Sequence, residues 1–116
     1  MMVGSLPHAL HLQFGELTID LAGYRVLLAG CPLALSYRDY ALLAYLAGRA
    51  GHVVSKRQLL EEGLGRHDAG GLREVEERLR HLKGIVERAP GAQIEESEQG
   101  YRFIYASSSS PNLSIS

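Results

Sequence analysis

The sixteen residues from Leu72 to Glu87, LREVEERLRHLKGIVE, constrain the fold more than any other stretch. Leu72, Val75, Leu79, Leu82 and Val86 recur at spacings of three and four. That spacing lays them along one stripe of an α-helix and commits the stripe to a hydrophobic core. At about 100° per residue, Arg73, Glu74, Glu77, Arg80, His81 and Gly84 point away from it. The helix is thus anchored on one side and offers guanidinium groups on the other. A helix laid in a DNA major groove requires that division. A solvated surface helix shows it too, so the flanking segments decide between the two.

Upstream, the chain breaks into short extended pieces, LHLQF, ELTIDL, YRVLLA and PLALS, across residues 10 to 36. The breaks fall at Gly15-Glu16, Ala22-Gly23 and Gly30-Cys31-Pro32. Short strands joined by glycine turns predict an antiparallel meander. Leu17, Ile19 and Leu21 alternate with Thr18 and Asp20, so one face of that sheet is wet. Ser36 followed by Asp39 starts a helix that buries Tyr40, Leu42, Leu43 and Leu46 and that Gly51 ends. Ser55 with Gln58 starts a second helix, KRQLLEEGL, with Leu59 and Leu60 inward and Gly63 and Gly65 as terminators. Residues 66 to 71 form a glycine-rich turn into the arginine-bearing helix. After it, a strand near residues 93 to 95, a turn near Gln99-Gly100 and a strand over residues 101 to 105 read as a hairpin. The prediction is one α+β domain over residues 10 to 105, with a loose leader at residues 1 to 9 and a serine-rich, disordered tail at residues 106 to 116.

Hydrophobic residues make up 46% and charged residues 22%, which suits a single globular domain. A formal net charge of −1 means that any phosphate binding rests on local clusters of cations. Cys31 is the one cysteine and has no partner for a disulfide; it is expected to be a small packing residue. The five histidines are scattered, so no metal site is expected, and no cofactor or small-molecule ligand either. No phosphate-binding glycine loop and no nucleophile–base pair is apparent, which argues against an enzyme. No apolar run approaches the ~20 residues of a membrane span and the start lacks the order of a signal peptide, so no membrane partner is expected and the location is read as cytoplasmic.

In this order and with these residues, the chain resembles the winged-helix effector domain of response regulators of the OmpR/PhoB class, over about residues 12 to 105. The resemblance rests on Leu35-Ser36, Asp39-Tyr40, Leu42-Leu43, Gly51, Val53, Ser55-Lys56 and Leu59-Leu60. The closing Gly100-Tyr101-Arg102-Phe103 matches the family's Gly-Tyr-Arg-Phe at the base of the wing. It implies a winged helix-turn-helix: an N-terminal four-stranded antiparallel sheet, three helices and a C-terminal β-hairpin wing. It also implies a two-component transcription regulator that binds double-stranded DNA, usually as a homodimer on direct repeats. The third helix, residues 72 to 87, would lie in the major groove with the wing, residues 93 to 105, beside it. Residues 64 to 71 would be the loop that touches RNA polymerase. No counterpart of the family's receiver domain is seen, so the chain reads as an effector domain or a stand-alone regulator.

Phosphate contacts position such a domain and base contacts specify its site. Glu77, Arg80 and His81 are the candidate base readers. Arg80 is suited to bidentate pairing with guanine. Many family members carry arginine where His81 stands, which makes His81 a weaker or pH-sensitive reader. Glu77 would repel phosphate or accept a hydrogen bond from cytosine N4. Lys56 and Arg57, in the first turn of the second helix, are candidate phosphate ligands, with Arg73, Arg78, Lys83, Tyr101 and Arg102. The Lys56 and Tyr101 assignments follow the resemblance.

Several residues depart from the family. Glu74, Glu76 and Glu77 crowd the start of the third helix, where acids also suit the helix dipole. Glu95, Glu96, Ser97, Glu98 and Gln99 stand where the family has Thr-Val-Arg-Gly, in a wing one residue shorter. Leu64 replaces a tryptophan, and Gly63 the apolar residue before it. Gly84 costs its helix about 1 kcal/mol against alanine. The acidic wing motivates a second reading, a protein-interaction module whose wing meets a basic partner or another copy.

Overall fold

The computed structural model describes residues 11–68 and 70–106. The predicted leader and all of the predicted tail except residue 106 lie outside them. Alternation governs the first sheet. In β2 (Leu17–Asp20) Leu17 and Ile19 are fully buried while Thr18 and Asp20 are partly exposed. β1 (His11–Phe14), β2, β3 (Arg25–Leu28) and β4 (Cys31–Pro32) pair antiparallel in that order, with Ile19 opposite Val26 and Leu17 opposite Leu28. β4 is two residues long, shorter than PLALS suggests: the Leu33 amide still donates to the Val26 carbonyl, and the Leu35 amide then turns back on Leu33. Cys31 therefore sits on an exposed edge and packs against no core, contrary to its expected role.

α1 (Tyr37–Ala47) starts on the Ser36 hydroxyl, which accepts from the Asp39 amide at 3.2 Å. It ends before the expected Gly51 because that residue has another use. With φ 89° the Gly51 backbone swings its amide onto the Phe103 carbonyl, 2.8 Å away. Val54 and Tyr101 then exchange two backbone hydrogen bonds of 2.7 and 2.8 Å. Their closeness explains Gly100: at φ 146° any Cβ there would run into the Val54 carbonyl.

α2 (Lys56–Gln58) is capped by the Ser55 hydroxyl, accepting from the Gln58 amide at 3.0 Å. The expected α-helix over residues 56 to 64 does not continue; residues Leu59–Gly63 are π-wound, and the Leu64 amide reaches the Leu59 carbonyl five residues back. Leu59 and Leu60 are both fully buried in this wider turn. α3 (Gly71–Val86) buries Val75, Leu79, Leu82 and Val86, with Leu72 half-buried. Its start presses on the π-wound turn so closely that a Cβ on Gly71 would overlap Leu60.

β5 (Ala92–Ser97) and β6 (Gly100–Tyr105) form the closing hairpin around a Glu98-Gln99 turn, with Ile94 opposite Phe103. The Phe14 and Phe103 rings lie 4.7 Å apart between centroids, which joins the N-terminal sheet to the hairpin. One core therefore runs from β2 through α1 and α3 to the wing. The outward face of α3 is left as the surface it supports.

Candidate nucleic-acid interface

Arg73, Glu77, Arg80, His81, Lys83 and Gly84 are all exposed on α3. Helical geometry puts Glu74 and Arg78 on the flank facing α1, and Glu76 and Lys83 on the flank facing α2 and the wing. The two flanks carry different electrostatics.

On the α1 flank the Glu74 carboxylate accepts from Arg78 Nε at 2.8 Å, from Arg38 Nη1 at 3.0 Å and from Arg66. Arg78 Nη1 also donates to Asp39 Oδ1 at 2.9 Å and to the Ser36 hydroxyl at 3.2 Å. Asp39 is only 8% exposed, so the Arg78 guanidinium compensates a nearly buried charge. Arg66 holds Asp68 as well, at 2.9 Å, which fastens the loop before α3. Glu74 thus belongs to a lateral hub and does not face outward as its position in the helix suggests. Arg78, a candidate phosphate ligand by sequence, spends its donors inside the domain.

The guanidinium of Arg78, then those of Arg66 and Arg38, hold the Glu74 carboxyl down at about 2, against an ordinary value of 4.5. A carboxyl depressed on folding stabilises the native state above its unfolded value and loses that contribution as pH falls through the window toward 2. Denaturation of Glu74→Gln and parent protein is therefore expected to differ at pH 7, the gap narrowing below the ordinary value of 4.5 and nearly closing only at about pH 2. A gap independent of pH would show that Glu74 acts through packing alone.

On the other flank Lys56 Nζ pairs with Glu76, joining α2 to α3, and draws the Glu76 carboxyl below its usual range. Arg57 stays exposed, 3.4 Å from Glu61 one turn on. Tyr101 is 4% exposed, and its hydroxyl donates to Glu96 Oε2 at 3.5 Å. Burial, then the nearby Glu96 and Glu76 charges, push its phenol to about 12. Tyr101 therefore packs the wing onto α3 and faces carboxylates. Arg102 Nη2 binds Glu95 Oε1 at 2.6 Å across the hairpin, so one of the three wing carboxylates is neutralised within the wing itself. A cleft of about 260 Å³ between α3 and the hairpin is lined by Glu76, Arg80, Lys83, Glu96 and Tyr101, with Leu79 and Ile94 beneath.

The structure brings the three candidate base readers, Glu77, Arg80 and His81, onto one exposed face. Among the described residues Arg73, Arg80 and Lys83 enter no ion pair. Gly84 shares that face, and a Cβ there would meet nothing within 4 Å. Sequence reasoning missed the part played by Arg38, Arg66 and Asp39, whose partners lie 36, 8 and 39 residues away. Only the Glu74–Arg78 spacing of four carried a local signal. No helix of the described residues is long and apolar enough to cross a membrane.

The profile described as "Transcriptional regulatory protein, C terminal" matches residues 30–103. The response regulator protein PmrA of Pseudomonas aeruginosa is 34% identical over 79 residues, covering 68% of this chain and 34% of PmrA. The transcriptional regulatory protein SrrA of Staphylococcus aureus is 30% identical over 112 residues, covering 92% of this chain and 46% of SrrA. The chain spans less than half the length of these two relatives. The DNA-binding domain of RstA from Klebsiella pneumoniae, solved in complex with the RstA box, is similar at a TM-score of 0.64 and 29% identity, over 80% of this chain and 95% of that one. Sheet, helices and closing hairpin agree with the winged-helix architecture read from the sequence. The chain belongs to the C-terminal domain family of transcriptional regulatory proteins, in its OmpR/PhoB class.

Proposed function

We propose that this domain binds double-stranded DNA sequence-specifically, with the outward face of α3 in the major groove and the hairpin beside it. One observation carries the reading: Arg80 stands exposed and outside any ion pair, among the described residues, on a helix clamped on both flanks by charge pairs. The clamped helix presents Arg80 from a fixed backbone, and among the described residues its guanidinium has no intramolecular partner to give up on meeting a base. The similarity to RstA, solved with its DNA box, supports the same placement. Arg80 and His81 meet base edges, and Arg73, Lys83, Lys56 and Arg57 meet phosphates. Arg78 acts as a positioning residue through Asp39 and Glu74, and Tyr101 and Arg102 hold the wing.

With a net charge of −1 a single copy binds weakly, and a second copy on an adjacent repeat supplies the missing affinity. The loop pinned by Arg66 is the surface offered to RNA polymerase. The domain works in the cytoplasm and performs no chemistry of its own. The protein-interaction alternative is not favoured, since Arg102 already occupies Glu95.

Retention of genomic fragments by the protein at two salt concentrations tests the reading. A recurring half-site should emerge, with log affinity falling linearly against log salt. Absence of retention at low salt would contradict it.

The Lys56–Glu76 pair adds a second expectation. A phosphate must compete with the Glu76 carboxylate for the Lys56 ammonium, so Glu76→Gln should tighten binding roughly threefold. In a Lys56→Ala background the gain should shrink, which a double-mutant cycle measures. An equal gain in both backgrounds would mean that Glu76 only repels DNA at a distance.

A further inference from the structure

Three carboxylates sit in the first half of α3, and their surroundings differ. Glu74 is held by three arginines and Glu76 by Lys56. Glu77 is exposed and has no cation partner among the described residues. At about 100° per residue it lies within roughly 20° of the line opposite the buried stripe, near the pole of the outward face. An acid on a flank of a groove-bound helix faces phosphates, whereas one at the pole faces base edges. A bare carboxylate that closes on DNA is repelled unless it gains a donor.

Resting on the DNA-binding reading above, we propose that Glu77 determines specificity by accepting a hydrogen bond from the N4 amino group of a cytosine, beside the guanine read by Arg80. An ionised carboxylate only accepts. The base edges of the major groove offer two amino donors, cytosine N4 and adenine N6. In adenine the donor adjoins the N7 lone pair, which repels a second acceptor, while the cytosine edge carries no acceptor beside N4. Gly84 occupies the same outward line and adds no side chain there, so the helix approaches the groove floor closely enough for a glutamate to reach. Glu77 and Arg80 are separated by about 4.5 Å of helical rise. Stacked base pairs are separated by about 3.4 Å, so the two side chains address neighbouring pairs.

Selection from a randomised duplex library with the full chain, its Glu77→Gln and Glu77→Ala variants and Arg80→Ala tests this. Glu77 is exposed, and circular dichroism verifies that the variants fold. The parent should enrich cytosine over thymine roughly tenfold at one position. That position should adjoin the guanine whose enrichment Arg80→Ala abolishes. Glu77→Gln should shift the preference toward adenine, which a glutamine pairs bidentately. Glu77→Ala should erase it while the guanine persists. Tighter binding by both variants with an unchanged site would overturn the assignment and leave Glu77 a repulsive residue only. Failure of the parent to enrich any site would overturn the DNA-binding reading, and this inference with it.

Discussion

Phe103→Ala is expected to cost the fold about 3–5 kcal/mol, a large share of what holds a domain of this size together. Phe103 is fully buried, faces Ile94 across the hairpin and packs its ring, tilted by 56°, against Phe14 of the first sheet. Its carbonyl also receives the Gly51 amide. Its ring therefore ties the N-terminal sheet to the wing, and its backbone ties the turn after α1. A truncated side chain leaves a cavity walled by three elements that cannot all close on it. Domains of this kind are stable by only about 5–15 kcal/mol, so the variant should populate unfolded states at moderate temperature. Urea denaturation should show a lower midpoint at an unchanged slope. A loss under about 1 kcal/mol would mean that the two halves do not share one core.

Arg80→Ala is expected to weaken binding to the selected site by roughly ten- to a hundredfold, with relaxed discrimination at one base pair. Stability should hardly change, because Arg80 is exposed and enters no ion pair among the described residues. Lys83→Ala is the proper comparison. A phosphate ligand should weaken all sequences alike and reduce the salt slope by about 1. If Arg80→Ala behaved in that uniform way, Arg80 would be one more phosphate contact and the reader would lie elsewhere on α3. If both variants bound as the parent does, the outward face of α3 would not be the contact surface.

Where the sequence was legible, a local rule was at work. Val75, Leu79, Leu82 and Val86 are buried as their spacing demands, and the hydroxyls of Ser36 and Ser55 cap the helices they precede. The exposed line through Glu77, Arg80 and Gly84 follows from the same periodicity. Local rules fail where partners are distant. Periodicity gives the direction in which Arg78 points, but only the fold brings Asp39, 39 residues away, to meet it. Lys56 likewise meets Glu76 across 20 residues, which no helical spacing foretells. The π-wound turn after Gln58 lies below the resolution of a pattern argument, since the same leucines serve either winding. Cys31 was misplaced because, although it pairs with Leu28 on the side of the buried Leu17, it lies in the edge strand β4, where it stays exposed.

Backbone amide shifts during titration with the selected duplex locate the DNA-contacting residues one by one. Perturbations should concentrate along Arg73, Glu77, Arg80, His81 and Gly84, with weaker changes at Lys56, Arg57 and the Glu98-Gln99 turn. The exposed aromatic pair Tyr24 and Tyr37, 62% and 63% exposed at the start of α1 and outside the outward face of α3, should change little. Perturbations confined to that patch, or to the acidic strand β5, would contradict α3 as the reader.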